Sequence, residues 1–274
     1  MKQRIGIGTI LGAILIMVWA ISPVVWIVSL SMKAGDDINN GRFWPNNFSS
    51  ENYQTVFSTE LFTSALRNSI GIALISTVLS VAIATVAAYA IARLDFPGKK
   101  TVLSIALAIA MFPAVSLVGP LFDTWRTVGL YDTWPGLIIP YMSFTLPLSL
   151  WTLSAFFKEI PWEMEEAAQM DGATPWQAFK KVIVPLAAPG VFTAAILAFF
   201  FAWNDFVFAI SLTSTNNART VPAALAFFTG ESQFQQPAGA ISAASVVVTI
   251  PVIILVLLFQ KRIVAGLTNG AVKG

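Results

Sequence analysis

The residues best suited to chemistry are three glutamates in a charged stretch of an otherwise apolar chain. Glu163, Glu165 and Glu166 fall within four positions of the segment 158–189, KEIPWEMEEAAQMDGATPWQAFKKVIVPLAAP. Carboxylates grouped in this way can bind a partner that presents cationic side chains or backbone N–H donors. The segment is therefore predicted to be a recognition surface.

A second polar group, Trp203-Asn204-Asp205, interrupts a long apolar run. A carboxylate and an amide can hydrogen-bond sugar hydroxyls, and an aromatic face can stack on a sugar ring. Asp205 is the one acidic residue inside the predicted membrane helices, and such a charge usually faces a bundle interior or a water-lined cavity. Two interpretations stay open, a sugar-facing site and a hydrogen bond between helices.

Composition excludes several other chemistries. The chain has no cysteine and no histidine, which removes disulfides, thiolate catalysis and histidine-based proton transfer or metal binding. Gly98-Lys99 is the single Gly-Lys pair, and Arg93 stands where a Walker phosphate loop needs its first glycine. We therefore expect neither a cofactor nor a metal on this chain.

Long apolar helices must position these residues. Of 274 residues, 56% are hydrophobic and 11% are charged, and the mean hydropathy is +0.74. Soluble domains have about 25% charged residues, so the sequence predicts an all-α integral membrane protein, with a single domain over 1–274. Residues 33–62 are predicted to be an extramembrane loop and 261–274 a polar tail. Six transmembrane helices near the bilayer-spanning length are predicted, at about 5–32, 66–92, 102–122, 136–157, 190–212 and 240–259.

The segment 158–189 itself is predicted to form two short helices. Its glutamates lie in the first turn, where negative charge is favourable. Gly172 suits a left-handed cap that ends the first helix, and Thr174 suits the start of the second. An amphipathic segment lying flat on lipid would have the same pattern, so this alternative stays open. The second helix would carry an apolar stripe of Trp176, Phe179 and Ile183.

The distribution of basic residues predicts the orientation. With the N-terminus inside, inner segments hold eleven of the sixteen Lys and Arg residues and outer segments hold five. The positive-inside rule then places both termini and the segment 158–189 in the cytoplasm. The inner residues are Lys2, Arg4, Arg93, Lys99, Lys100, Lys158, Lys180, Lys181, Lys261, Arg262 and Lys273.

One motif with fixed spacing resembles a known family. Glu166-Ala167-Ala168 is followed after three residues by Gly172, and after nine more by Val182-Ile183-Val184-Pro185. This resembles the EAA loop of ABC importer permeases, whose pattern is E-A-A, three residues, G, nine residues, I-x-L-P. In this chain Val182 stands in place of the Ile and Val184 in place of the Leu. The resemblance implies a type I ABC importer permease whose loop is a cytoplasmic coupling helix docked on an ATPase subunit. The implied coupling residues are Glu163, Glu166, Ala167, Ala168, Met170, Asp171 and Gly172.

Other stretches resemble the carbohydrate-importing permeases within that family. They are Arg67-Asn68-Ser69, Ala88–Arg93 with Phe96-Pro97-Gly98, and Trp203-Asn204-Asp205-Phe206. The stretch 265–274 is similar to the end of the second permease of maltose- and trehalose-type importers, those of mycobacteria included. That similarity implies contacts between Asn269, Gly270 and Lys273 and the ATPase subunits. A disordered C-terminal end is the alternative.

The resemblance implies a function and a set of partners. The chain would be a permease subunit of an ATP-driven importer of a carbohydrate, such as the disaccharides trehalose or maltose, in the bacterial cytoplasmic membrane. It would assemble with a second homologous permease, a homodimer of nucleotide-binding ATPase subunits, an extracytoplasmic sugar-binding protein and membrane lipid, and with no nucleic acid. ATP and Mg²⁺ would bind the ATPase, so the chain would not be an enzyme. A self-sufficient channel or an ion-coupled secondary transporter is the alternative function.

Overall fold

The computed structural model describes residues 6–228 and 237–271, with side chains up to residue 259, and these ranges contain helices and no strand. A 3₁₀ turn, Gly35–Asn39, and a π-helical turn, Phe179–Ile183, accompany the α-helices. The α-helices are α1 Ile7–Ser31, α2 Glu51–Ser58, α3 Glu60–Arg93, α4 Lys99–Ala110, α5 Ala114–Val128, α6 Trp134–Glu159, α7 Glu163–Met170, α8 Pro175–Ala178, α9 Val184–Leu186, α10 Ala188–Asn204, α11 Val207–Leu212, α12 Val221–Ala226 and α13 Ala238–Ala271.

Four helices in the described part of the chain are long and apolar enough to cross a membrane, namely α1, α3, α6 and the Ala238–Phe259 part of α13. Two pairs of helices reach that length only together. The pair α4 and α5 is bent by 85°, and Pro175–Leu186 with α10 is bent by 72°. Counting each pair as one span gives six, which is the predicted number.

The described part of the chain groups into two compact units, and the single domain over 1–274 stays a prediction. The first comprises the described residues of Met1–Thr63 and Ala224–Pro251. Within it Lys33 is buried, donates from Nζ to the Arg42 carbonyl at 2.5 Å and lies 5.1 Å from the Trp26 ring centroid. Asn52 Nδ2 donates to the Lys33 carbonyl at 2.5 Å and so ties α2 to the end of α1. The segment 33–62 is therefore partly helical rather than a loop.

The second unit comprises Ser64–Ala223 and Val252–Gly274, of which the described residues surround a core between α3, α6 and α10. Small side chains line the helix contacts, among them Ala84, Ala88, Ala194 and Ala198, all nearly or fully buried. Small residues allow transmembrane helices to approach closely, which is the main source of packing between helices in lipid. A Cβ atom at Gly190 would collide with the Phe156 side chain, so α6 and α10 touch at this glycine.

The helix predicted at 102–122 is two helices. Pro113 lies in an extended conformation (φ −62°, ψ 116°) between α4 and α5. Proline cannot donate the hydrogen bond that would continue α4, and the residue before it is disfavoured in a helix. The second helix continues to Val128, so Asp123, just beyond the predicted end at residue 122, lies within it. Asp205, by contrast, lies between α10 and α11 rather than inside a helix.

The C-terminal helix is longer than predicted. α13 continues to Ala271, where a polar tail was expected from residue 261. The stretch after residue 259 contains Lys261, Arg262, Ala265 and Leu267, all strong helix formers, and no proline. Local propensity therefore supports continuation of the helix beyond the apolar span.

Candidate functional site

The segment between α6 and α10 contains the predicted helical hairpin. α7 begins after Trp162 and carries all three glutamates in its first turn. Gly172 has φ +88°, and the N–H groups of Gly172 and Ala173 donate to the carbonyls of Gln169 and Ala168 at 3.0 Å each. This is the Schellman arrangement that ends helices at glycine. The predicted turn is therefore confirmed in its position and its glycine conformation.

A reciprocal cap begins the second helix of the hairpin. Gln177 N donates to Thr174 Oγ1 at 3.3 Å, and Thr174 N donates to Gln177 Oε1 at 2.9 Å. Both ends of the turn are thus closed by hydrogen bonds within 168–177. These hydrogen bonds favour one conformation of the turn.

The second helix differs from the regular one that was predicted. α8 ends at Ala178, the π-helical turn follows, and α9 begins at Val184. Pro185 explains the irregularity, because it has no N–H to donate to the carbonyl four residues earlier and its ring would clash there. A wider π turn relieves this conflict. In the predicted stripe Phe179 and Ile183 are buried, whereas Trp176 is 61% exposed and stacks on Phe179 at 5.1 Å.

The residues predicted to couple transport form an exposed face of α7 and the turn. Met170 is 87% exposed, and Ala168 is half-buried. The other predicted coupling residues are exposed, namely Glu163, Glu166, Ala167, Asp171 and Gly172. The structure thus brings all seven together on one short, capped element, with acidic groups beside an exposed thioether.

The inner face of α7 carries a residue that the sequence analysis did not single out. Glu165 is 4% exposed and is the one buried residue among the eight of α7. Its Oε1 accepts a hydrogen bond from Tyr89 at 2.5 Å, and its Oε2 lies 3.8 Å from Arg93 Nε. Both partners belong to the last turns of α3. An indication was present in the sequence, because a tyrosine and an arginine four positions apart share one helix face at the C-terminal end of the predicted second span.

The second predicted site lies at a helix break. The helix expected over 190–212 ends at Asn204, and Asp205 is extended (φ −65°, ψ 128°) before α11 begins. Asp205 Oδ2 accepts from Tyr141 Oη at 2.9 Å and from Ala209 N at 3.1 Å. The carboxylate thus caps the start of α11 and bridges to α6, because an aspartate side chain competes well with a continued helix.

The three residues of this predicted site do not present one common surface. Trp203 is buried and stacks on Phe199 at 5.3 Å, whereas Asn204 is exposed and donates to the Phe200 carbonyl at 2.8 Å. The contacts of Trp203 and Asn204 lie within α10, and the Tyr141–Asp205 hydrogen bond is the one that reaches another helix, as the interhelical alternative expects. Sugar contact by Trp203, Asn204 and Asp205 stays a prediction.

The remaining predicted residues lie at the C-terminus. Asn269 and Gly270 belong to α13, beyond the residues whose side chains are described, and Lys273 lies outside the described residues. Among the residues that the structure describes, no cluster of three or more acidic side chains is placed to hold a metal ion.

Comparison with known proteins identifies the family. Residues 79–269 match the model of the family described as "binding-protein-dependent transport system inner membrane component". The chain is 59% identical to the trehalose transport system permease protein SugB of Mycobacterium tuberculosis, over 95% of each chain. It is 41% identical to the trehalose/maltose transport system permease protein MalG of Thermococcus litoralis, over 97% of this chain and 96% of that one.

A solved structure supports the same conclusion. One chain of a bacterial ABC transporter involved in the import of the acidic polysaccharide alginate superposes with a TM-score of 0.81 at 26% identity, over 93% of this chain and 96% of that chain. The predicted all-α membrane fold of a type I ABC importer permease is confirmed. The chain belongs to the binding-protein-dependent transport system inner membrane component family of multi-pass membrane proteins.

Proposed function

We propose that this chain is one permease subunit of an ATP-driven carbohydrate importer, carrying a disaccharide such as trehalose or maltose. It would form half of the path for the sugar, and a second homologous permease would form the other half. A homodimer of ATPase subunits would bind ATP and Mg²⁺, and an extracytoplasmic sugar-binding protein would deliver the sugar. The identity of 59% to a trehalose transport permease over nearly the full length supports the substrate class.

The exposed face of α7 is the observation that carries this proposal. A thioether that is 87% exposed at Met170 and acidic groups at Glu163, Glu166 and Asp171 suit a docking surface. Exposed methionine adapts to irregular partner surfaces, and carboxylates pair with basic side chains or backbone N–H donors. The hydrogen-bonded caps at Gly172 and Thr174 favour one conformation of this face, so a displacement of it would be passed to the helices that flank it.

The proposed orientation follows from charge. Eleven of the sixteen basic residues fall on the side that holds α7 and both termini, and by the positive-inside rule this excess supports a cytoplasmic location for that side. The outer segments 33–62 and 213–239 would then receive the sugar-binding protein. Trp203, Asn204 and Asp205 would adjoin the sugar path, with Asn204 the exposed member.

The test of this function is purification followed by reconstitution. The chain is expected to co-purify with its second permease and ATPase subunits. The assembled complex in liposomes should take up radiolabelled trehalose only with ATP and the binding protein. Transport by the isolated chain, without ATP, would instead establish the channel or ion-coupled alternative.

The C-terminal end is proposed to contact the ATPase subunits through Asn269, Gly270 and Lys273. Deletion of 269–274 is expected to lower sugar uptake per ATP hydrolysed while leaving the amount of permease in the membrane unchanged. An uptake-to-hydrolysis ratio equal to that of the full-length chain would assign no coupling role to this end.

A further inference from the structure

The Glu165 cluster, formed by Tyr89, Arg93 and Glu165, joins the hairpin to a helix that is distant in sequence. α7 is otherwise a surface helix, and its one buried residue is a carboxylate. Burying an ionisable group without partners is costly, so such groups are retained where they are paired and hydrogen-bonded. The burial of Glu165 therefore points to a specific contact rather than to filling of the core.

All partners of Glu165 in the cluster come from the end of α3. Tyr89 Oη donates to Glu165 Oε1 at 2.5 Å, and Arg93 Nε lies 3.8 Å from Glu165 Oε2. The Arg93 and Glu165 side chains are 5% and 6% exposed. A charge pair shielded from water to this extent is screened far less than a surface pair.

Aromatic and backbone contacts fix the two partners. The Tyr89 ring lies 4.6 Å from Phe179 of the π-helical turn and 6.1 Å from Phe157 of α6. Arg93 donates from an Nη atom to the Ile160 carbonyl at 2.7 Å, and its guanidinium lies 4.6 Å from the Trp162 ring centroid. Arg93 thus holds the connection from α6 to α7, and Tyr89 holds the far side of the hairpin.

These contacts connect α7 to a helix that does not adjoin it along the chain. Along the backbone, α7 connects to α6 on one side and, through α8 and α9, to α10 on the other. The Glu165 cluster connects it to α3, whose Tyr89 is 76 residues from Glu165 in sequence. We propose that Tyr89, Arg93 and Glu165 are positioning residues that make α3 move with α7. A displacement of the hairpin would then re-angle three spans, α3, α6 and α10. This inference rests on the proposed importer function.

The test compares variants in the fully assembled complex. Glu165→Gln keeps an acceptor for Tyr89 but removes the charge that faces Arg93. Tyr89→Phe removes the hydroxyl and keeps the ring. Asp95→Asn is the matched control, because it removes an exposed ion pair with Lys99 (3.3 Å) just beyond the end of α3. Each complex is assayed for bound ATPase subunits, ATP hydrolysis and sugar uptake.

Glu165→Gln and Tyr89→Phe are expected to retain their ATPase subunits, because the exposed face of α7 is unchanged. Uptake per ATP hydrolysed should fall at least about threefold, the size of effect found when residues between coupled sites are changed. Asp95→Asn should keep the native ratio. A purely structural role would lower the yield of complex and leave the ratio of uptake to hydrolysis unchanged, which would overturn the inference.

A double variant keeps the test decisive if Glu165→Gln assembles poorly. Removing one member of a buried charge pair leaves the other charge buried without a partner, which is destabilising. Replacing both members by apolar groups often preserves stability. Arg93→Met with Glu165→Leu should therefore restore the yield, with uptake per ATP still reduced at least about threefold. A native ratio in the double variant would refute the positioning role. Absence of ATP-driven uptake by the native complex would instead refute the importer function.

Discussion

At the scale of single residues, neighbouring glutamates of α7 point to different surroundings. Glu166 is exposed on the face proposed to dock, whereas Glu165 is 4% exposed and bonded to α3. Substitutions at the two positions should consequently differ in kind. Substitution of the exposed Glu166 is expected to change the binding of the ATPase subunits. Substitution of the buried Glu165 is expected to change the sugar uptake per ATP hydrolysed.

Reversal of the outward charge tests the docking role. Glu166→Lys should weaken binding of the ATPase subunits by about tenfold, as expected when a contact worth roughly 1–2 kcal/mol is lost. Membrane insertion should be unaffected. The measurement is the affinity of purified ATPase for membranes that contain the permease. Glu159→Lys is the control, since Glu159 is an exposed residue at the end of α6, outside α7. Equal affinities for the two variants would count against docking through Glu166.

The backbone of Gly172 provides a test of the rigid turn. Gly172→Val places a β-branched residue at φ +88°, a conformation that costs such a residue about 1–2 kcal/mol. Amide hydrogen exchange over 163–178 should accelerate about tenfold, which corresponds to about 1.4 kcal/mol of local opening. Gly119→Val is the matched control, because a Cβ atom added at either glycine would meet open space and Gly119 lies within α5. Unchanged exchange in Gly172→Val would mean that the turn is not held as described.

Residue types and spacing within the segment predicted this turn. They did not predict the burial of Glu165, which depends on contacts with residues distant in sequence. Gly172 and Thr174 act on backbone groups within five residues of themselves, so composition and spacing were sufficient. The burial of Glu165 depends on Tyr89 and Arg93, which come close only when α3 packs beside the hairpin. No periodicity in 158–189 distinguishes Glu165 from Glu163 and Glu166, the two exposed glutamates of α7.

At the scale of elements, most of the predicted membrane spans are present in the structure. The breaks within some of these spans were not predicted from the sequence. Prolines mark the break at Pro113 and the π turn before Pro185, but other prolines, such as Pro140 and Pro147, lie within α6 without ending it. Whether a proline ends a helix depends on the packing of the neighbouring helices, which can satisfy the freed carbonyl. The break at Asp205 depends on Tyr141, which is 64 residues away.

The break between α10 and α11 carries its own prediction. Asp205→Ala removes the acceptor of Tyr141 and two backbone N–H groups, and should destabilise the protein by about 1–3 kcal/mol. Tyr141→Phe removes one donor and leaves the cap, so its loss should be smaller. Thermal unfolding of the detergent-solubilised complex measures both. If Asp205→Ala kept native stability and raised the KM for sugar, the sugar-facing interpretation would hold instead.

At the scale of the whole molecule, the proposed function requires α7 to lie on the cytoplasmic side of the membrane. Eleven basic residues accompany α7 on the side assigned to the cytoplasm. An ATPase subunit can reach α7 only there. The charge count was available from sequence, whereas the division into two compact units came from packing that composition does not encode.

The most direct test introduces a cysteine at position 170. Because the chain has no cysteine, the variant Met170→Cys has a single thiol. A membrane-impermeant maleimide should label that thiol in inside-out vesicles and not in intact cells, since residue 170 is 87% exposed and assigned to the cytoplasm. Binding of the ATPase subunits should then block labelling in the vesicles. Labelling of intact cells, or equal labelling of vesicles with and without ATPase, would contradict the account.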